Sequence, residues 1–179
     1  LLSNVDCPVL CLDADNFYSI NIVSKWNGEN KIFTIKDEQN NPIYSYIELD
    51  NDNNIIDIVE KQKISNNACT GAYGFSSYKS LLKYTQYVID NNITQKNEFY
   101  TSTVIKEMIR DNFTFKNESI SFSNWHCLGT PIQVKQFCNN YPKYSCHNGI
   151  EKIKSLRLCF DLDNTLVSFP KIKDDYTSV

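Results

Sequence analysis

Pro8-Val9-Leu10-Cys11-Leu12-Asp13-Ala14-Asp15-Asn16-Phe17-Tyr18 is an apolar run that ends in an acidic turn. A short apolar run suits a buried strand, and in open α/β sheets ligands bind at the carboxyl ends of such strands. Asp13 and Asp15 stand there, one residue apart, as candidate holders of a metal against phosphate groups.

The elements that follow alternate in the manner of an α/β chain. Lys31 to Lys36 and Ile43 to Leu49 alternate apolar and polar residues, as half-buried strands do. Glu38-Gln39-Asn40-Asn41-Pro42 and Asp50-Asn51-Asp52-Asn53-Asn54 supply turn chemistry. Ile55 to Glu60 returns as a strand, so 31–60 reads as a meander. Helices are expected over Ser77 to Asn91, with Leu81, Leu82, Tyr84, Val88 and Ile89 on one side, and over Phe99 to Asp111, with Thr103, Val104, Met108 and Ile109. Ser119 to Phe122 is expected as a strand. Pro131 to Asn139 is expected as a helix with proline at an early position. Tyr141 to Lys154 reads as a linker between domains.

Composition narrows the function classes. The chain has 179 residues, enough for one sizeable domain. With 18 Lys plus Arg against 21 Asp plus Glu it lacks the electrostatic footprint of a nucleic-acid binder. No run approaches the length of a membrane span. The N-terminus has neither a starting Met nor the pattern of a signal peptide. The 7 cysteines are an odd, scattered set; Cys7 and Cys11, and Cys138 and Cys146 with His147, lack the paired spacings of a zinc site. The expected setting is the reducing cytoplasm. The sequons at Asn92, Asn112 and Asn117 read as chance in an Asn-rich chain.

A second acidic turn lies near the C-terminus. Ser155 to Phe160 is a short apolar run, followed by Asp161-Leu162-Asp163-Asn164-Thr165-Leu166. In an extended backbone Asp161 and Asp163 point the same way. One carboxylate could attack phosphorus while the other shuttles a proton, with Mg²⁺ easing the approach of like charges. This stretch resembles the first motif of the haloacid dehalogenase superfamily, Asp-x-Asp-x-Thr after a hydrophobic strand. The superfamily's later motifs have no sequence here to occupy, so the reading expects the beginning of a truncated domain over 155–179. Asp13 and Asp15 share the spacing but lack the Thr, which favours metal holding over nucleophilic attack.

The order of features upstream carries a broader resemblance. Val59-Glu60-Lys61, Thr70-Gly71-Ala72-Tyr73-Gly74-Phe75, Asn97-Glu98-Phe99-Tyr100 and Trp125-His126-Cys127-Leu128-Gly129-Thr130-Pro131 resemble the second half of the nucleoside-diphosphate-sugar pyrophosphorylases over roughly residues 5 to 138. These nucleotidyltransferases join a nucleoside triphosphate to a sugar-1-phosphate and release pyrophosphate. The resemblance implies that Asp15 binds Mg²⁺ beside the α-phosphate, helped by Asp13. It implies that Glu60 accepts hydrogen bonds from substrate hydroxyls, that Lys61 neutralises the attacking phosphate, and that Gly71 lets the backbone approach the substrate. Glu98 would bind further hydroxyls, and Trp125 with Gly129-Thr130-Pro131 would close the pocket's edge. Two departures stand out. Cys127 occupies the place of a second metal-binding Asp, with His126 beside it as an alternative phosphate contact. The family's Gly-rich nucleotide loop has no counterpart.

The expectation is therefore a three-layer Rossmann-like α/β nucleotidyltransferase domain over 1–140, with a mostly parallel sheet and an antiparallel meander. It would lack its N-terminal strands, and a linker over 141–154 and the first strand of a dehalogenase-like domain over 155–179 would follow. The parent would be bifunctional, acting on a nucleoside triphosphate and a sugar-1-phosphate or phospho-alcohol in surface-polysaccharide precursor synthesis. The 179-residue fragment itself would have little turnover. The alternatives are a dehalogenase-type phosphatase with an upstream substrate-binding region, or an inactive sugar-phosphate binding module. Base, acceptor and oligomeric state are left open.

Overall fold

The structure is a computed structural model and describes residues 6–140. Asp161 and Asp163, with the expected linker and second domain, lie outside the described residues. The chain runs through β1 (Val9–Leu12), β2 (Asn16–Tyr18), β3 (Lys31–Lys36), β4 (Ser45–Leu49), β5 (Ile55–Glu60), β6 (Asn67–Phe75), α1 (Tyr78–Asp90), α2 (Thr101–Arg110), β7 (Lys116–Ser119), β8 (Trp125–Cys127) and α3 (Pro131–Asn140).

The main sheet has the order β5-β4-β6-β3-β7, with β1 also paired to β6, and β2 pairs with β8 in a separate ribbon. The sheet is mixed, and the expectation of a mostly parallel one is not met among the described residues. β3 pairs with β7 in parallel, whereas β1–β6, β3–β6, β4–β5 and β4–β6 are antiparallel. Connection length explains the difference. The turn from β4 to β5 is too short for anything but a reversal, while parallel neighbours need a crossover of about a dozen residues or more, which the long stretch between β3 and β7 supplies.

β6 is buried along its whole length. Sequence periodicity did not announce it, because a strand covered on both faces shows no alternation and its two glycines weaken the strand pattern. β6 meets β3 along one edge, while on the other edge β4 pairs with its start and β1 with its end. Between those partners the register on β3 jumps from Thr34↔Cys69 to Ile32↔Tyr73. The extra residues bulge, and Gly71 at φ 79° takes the conformation that the bulge requires.

The core joins Ile32, Ile47, Ile55, Ile58, Tyr73, Phe75 and Phe115 of the sheet region to Tyr84, Val88, Val104, Ile105 and Met108 of the helices. α1 begins at the N-cap Ser77, whose hydroxyl accepts from Ser80 N–H. Asp6 accepts from Ser77 Oγ at 2.9 Å and Lys79 N–H at 3.1 Å, and the latter bond is the main cause holding its carboxyl below the ordinary value. The inward face of α1 is Tyr84 and Val88 with Leu81 partly buried, whereas Leu82 and Ile89 are about half exposed. That face is narrower than expected, since residues four apart stack on one side of a helix. The strand expected at Ser119 to Phe122 lies earlier, at Lys116–Ser119, and a 3-10 turn follows at Phe122–Asn124. Its polar sequence, Lys-Asn-Glu-Ser, concealed a strand that forms because β3 offers a parallel edge.

Contacts divide the described residues into one unit of 6–12 with 18–125 and another of 13–17 with 126–140. No helix among the described residues is long and apolar enough to cross a membrane.

Candidate functional site

In the larger unit, β5 ends at Glu60 and the chain leaves through Lys61. Lys61 adopts φ 49° and donates its N–H to the Tyr44 carbonyl at 2.8 Å. Glu60 is only 8% exposed. Its Oε2 accepts from Ser45 Oγ, the directly paired residue on β4, and from Ser102 Oγ at 3.0 Å. Ser102 lies in the first turn of α2, where the helix's partial positive charge favours a carboxylate. Oε1 takes no hydrogen bond among the described residues.

The segment before α2 completes this cluster. Gln95 and Glu98 exchange backbone hydrogen bonds at 3.0 Å, and Lys96 and Asn97 between them have φ 51° and 64°. Two successive residues with positive φ inside such a pair define a type I′ turn. From it Gln95 accepts the Glu60 N–H at 3.1 Å and donates to Thr103 Oγ1 at 3.0 Å. Glu98 Oε2 accepts from the Tyr100 hydroxyl, and that hydroxyl accepts from Lys61 Nζ at 3.0 Å. The bond to Tyr100 is the main cause holding the Lys61 ammonium above its ordinary pKa, against the effect of burial. The bond to Glu98 is the main cause raising the Tyr100 phenol. The cluster sets an ammonium and a phenol beside two acidic side chains, a set able to hold a ligand that carries an anionic group and hydroxyl donors together.

Trp125 is held at the bulge in β6, on the residue before Gly71. The Thr70 carbonyl, released there from ladder pairing, accepts from Trp125 Nε1 at 2.9 Å and from the Tyr18 hydroxyl at 2.5 Å. Trp125 is 3% exposed and stacks edgewise on Tyr44 at 5.3 Å. Trp125 is thus a packed, hydrogen-bonded anchor of this strand. Gly74 gives close approach of another kind: an added Cβ would stand 2.3 Å from Trp26 Nε1.

In the smaller unit, the Asp15 carbonyl accepts from Leu128 N–H at 2.7 Å, which ties the acidic turn to the residues after β8. An added Cβ at Gly129 would stand 2.5 Å from Asp15 Oδ2 and 3.7 Å from Cys127 Sγ. Glycine therefore lets the carboxylate lie against this turn beside the thiol. Burial is the main cause pushing the Cys127 thiol up, and the charges of Asp15 and Asp13 act in the same direction. The thiol is protonated at neutral pH and is a poor partner for a hard cation. No group of three or more His, Cys, Asp or Glu among the described residues is arranged to hold a metal. Asp13 and Asp15 are the carboxylates of this turn. His126 packs with Phe17 and Phe137 at centroid distances of 6.1 and 5.1 Å, and burial lowers its pKa, so it is neutral near pH 7.

Glu60, Lys61 and Glu98 thus lie in one cluster, in which Tyr100 joins Lys61 to Glu98 and Gln95 joins the turn before α2 to the Glu60 backbone. Ser45, Gln95 and Ser102 belong to the same cluster but carry no mark in the sequence, since they reach Glu60 only through strand register and the docking of α2.

No protein-family model matches the sequence, and no curated protein matches it. Solved structures do. A nucleoside-diphosphate-sugar pyrophosphorylase from Vibrio cholerae RC9 superposes with TM-score 0.65 at 15% identity, over 76% of this chain and 57% of that one. The CTP:phosphocholine cytidylyltransferase LicC from Streptococcus pneumoniae matches with TM-score 0.59 at 11% identity, over 73% and 56%. A structure assigned as a glucose-1-phosphate thymidylyltransferase from Bacillus anthracis, in complex with sucrose, matches with TM-score 0.57 at 17% identity, over 80% and 57%. The chain spans little more than half the length of each. At these identities the likeness shows a fold shared with these three proteins.

Proposed function

We propose that this chain carries the acceptor-binding part of a nucleotidyltransferase that joins a nucleoside triphosphate to a sugar-1-phosphate or a related phospho-alcohol. The observation that carries the reading is the cluster of Glu60, Lys61, Glu98 and Tyr100, set in a fold that nucleotidyltransferases share. Lys61 would bind the acceptor phosphate, and Glu60 Oε1 with Glu98 would accept its hydroxyls. The attacking oxygen belongs to that phosphate. It displaces pyrophosphate from the α-phosphorus, so the protein's task is positioning and charge stabilisation. Asp15, helped by Asp13, would hold Mg²⁺, which when bound neutralises charge on the nucleotide phosphates. The reaction would supply surface-polysaccharide precursors in the cytoplasm, and the Asp161–Asp163 turn would open a dehalogenase-like domain of a bifunctional parent.

A second reading is favoured by one observation. Cys127, neutral and half-buried beside Asp15, weakens the metal site and suits a module that binds a sugar phosphate without turning it over.

Calorimetric titration of the full chain with glucose 1-phosphate, mannose 1-phosphate and phosphocholine tests acceptor binding, and titration with Mn²⁺, expected to bind on the first reading and not on the second, separates the two readings. Binding that is lost in Lys61→Ala supports the proposal. Binding of none of the probes, or binding indifferent to both Lys61→Ala and Glu60→Gln, refutes it.

A further inference from the structure

We propose that Ser45 and Ser102 are positioning residues that clamp the Glu60 carboxylate for acceptor recognition, an inference that rests on the acceptor-binding role just given. Both hydroxyls donate to the same oxygen, Oε2. A carboxylate has about four lone-pair sites on its two oxygens, and a side chain 8% exposed gains most when both oxygens are satisfied. Concentrating two donors on one oxygen fixes the rotation of the carboxylate and leaves Oε1 to accept from a ligand.

The clamp has its own supports. Ser45 is held by strand register, directly opposite Glu60 in the β4–β5 pair. Ser102, 1% exposed, is held by the first turn of α2, and α2 is joined to the Glu60 backbone through Gln95 and Thr103. Two chain segments, β4 and α2, therefore converge on the carboxyl group that β5 carries. Lys61, next in sequence, turns to Tyr100, so the carboxylate is held by neutral dipoles that leave it able to accept a further hydroxyl. Gln95 is a third element of the same support, because it fixes the backbone from which Glu60 projects.

The test measures affinities of the full chain for glucose 1-phosphate and for inorganic phosphate by calorimetry, in the wild type, Ser45→Ala, Ser102→Ala, Ser45→Thr and Glu60→Gln. Thermal unfolding checks that each variant is folded. Each alanine variant is expected to weaken glucose 1-phosphate binding by about tenfold, as loss of one hydrogen bond to a charged group would. Inorganic phosphate binding, which depends on Lys61, is expected to stay unchanged. Ser45→Thr, which keeps the hydroxyl, should restore wild-type affinity, and adding Ser102→Ala to Glu60→Gln should cost nothing further. Alanine variants that bind glucose 1-phosphate as the wild type does overturn the clamp while leaving the acceptor site intact. Equal losses for glucose 1-phosphate and phosphate overturn it as well, by showing a general disruption. A wild type that binds neither probe overturns the acceptor-binding reading and the clamp with it.

Discussion

Gly129→Ala separates the function of the acidic turn from its stability. The added Cβ would stand 2.5 Å from Asp15 Oδ2, and that gap must open to ordinary contact at 3.4 Å or more, a displacement of about 1 Å for the carboxylate oxygen. The clash is with the tip of a side chain, so Asp15 can turn aside. The rotation costs roughly 0.5–1.5 kcal/mol, and the reduced freedom of the unfolded chain offsets about 0.4–1 kcal/mol of it. Stability should therefore change by no more than about 1 kcal/mol. Divalent-cation binding should fare worse, because Mg²⁺ demands near-ideal geometry and displaced ligand shells typically lose about 10- to 100-fold in affinity. Mn²⁺ titration followed by water-proton relaxation measures the affinity, urea unfolding measures the stability, and Asp15→Asn is the reference for a lost ligand. If Gly129→Ala binds Mn²⁺ as the wild type does while Asp15→Asn does not, the reasoning about this turn is wrong. A variant that loses several kcal/mol of stability refutes it equally, since the clash would then fall on the fold itself.

Three further outcomes follow from the same geometry. Gly74→Ala places Cβ 2.3 Å from Trp26 Nε1, on a ring that also donates to the Glu29 carbonyl at 2.7 Å. It should destabilise by about 1–3 kcal/mol in urea unfolding, a loss that should vanish in a Trp26→Leu background; persistence there would show another cause. Tyr84 is pushed up to about 12, chiefly by its hydrogen bond to Asp111. A raised value means that its contribution is fully present below its ordinary pKa of 10.0 and is lost as pH rises through about 12. The stability gap between wild type and Tyr84→Phe should therefore close between these values in pH-dependent urea midpoints, and a constant gap would refute the assignment. Cys127→Asp replaces a protonated thiol with a third carboxylate near Asp13 and Asp15, so Mn²⁺ affinity should rise by about tenfold or more; unchanged affinity would place Cys127 away from any cation.

The parts of the fold most legible in the sequence are those whose residue pattern keeps a regular spacing. β3 and β5 occupy the residues expected of them, β3 through its alternating apolar and polar residue types although all but Lys36 are buried, and α1 and α2 begin and end within two residues of their expected bounds. β6 escaped because it is buried on both faces and broken by glycines, and β7 escaped because it is polar and edge-paired. The site followed the same division. Glu60, Lys61 and Glu98 stand out as candidates through their order along the chain, whereas Ser45 and Ser102 reach Glu60 across 15 and 42 residues of sequence. A serine has no pattern of its own, and only register and packing show that these two donate to one oxygen.

Glu60 and Lys61 are adjacent in sequence and opposite in charge, and the simplest structural use of such a pair is mutual neutralisation at the end of a strand. The geometry argues against that use. Glu60 is held by the hydroxyls of Ser45 and Ser102, and Lys61 by the phenol of Tyr100; Lys61 has no ion pair at salt-bridge distance among the described residues. Holding an anion and a cation separately with neutral groups costs the direct attraction that pairing them would give, and it conserves an acceptor and a positive charge side by side. That spends stability on a surface with two different demands, which a ligand bearing hydroxyls next to a phosphate would meet. The backbone supports the same separation: the positive φ of Lys61 turns the chain as β5 ends, at a modest conformational cost for a residue that is not glycine. The acceptor-binding proposal is preferred to a structural charge pair on this ground, since a charge pair would have required neither the serine clamp nor the turn.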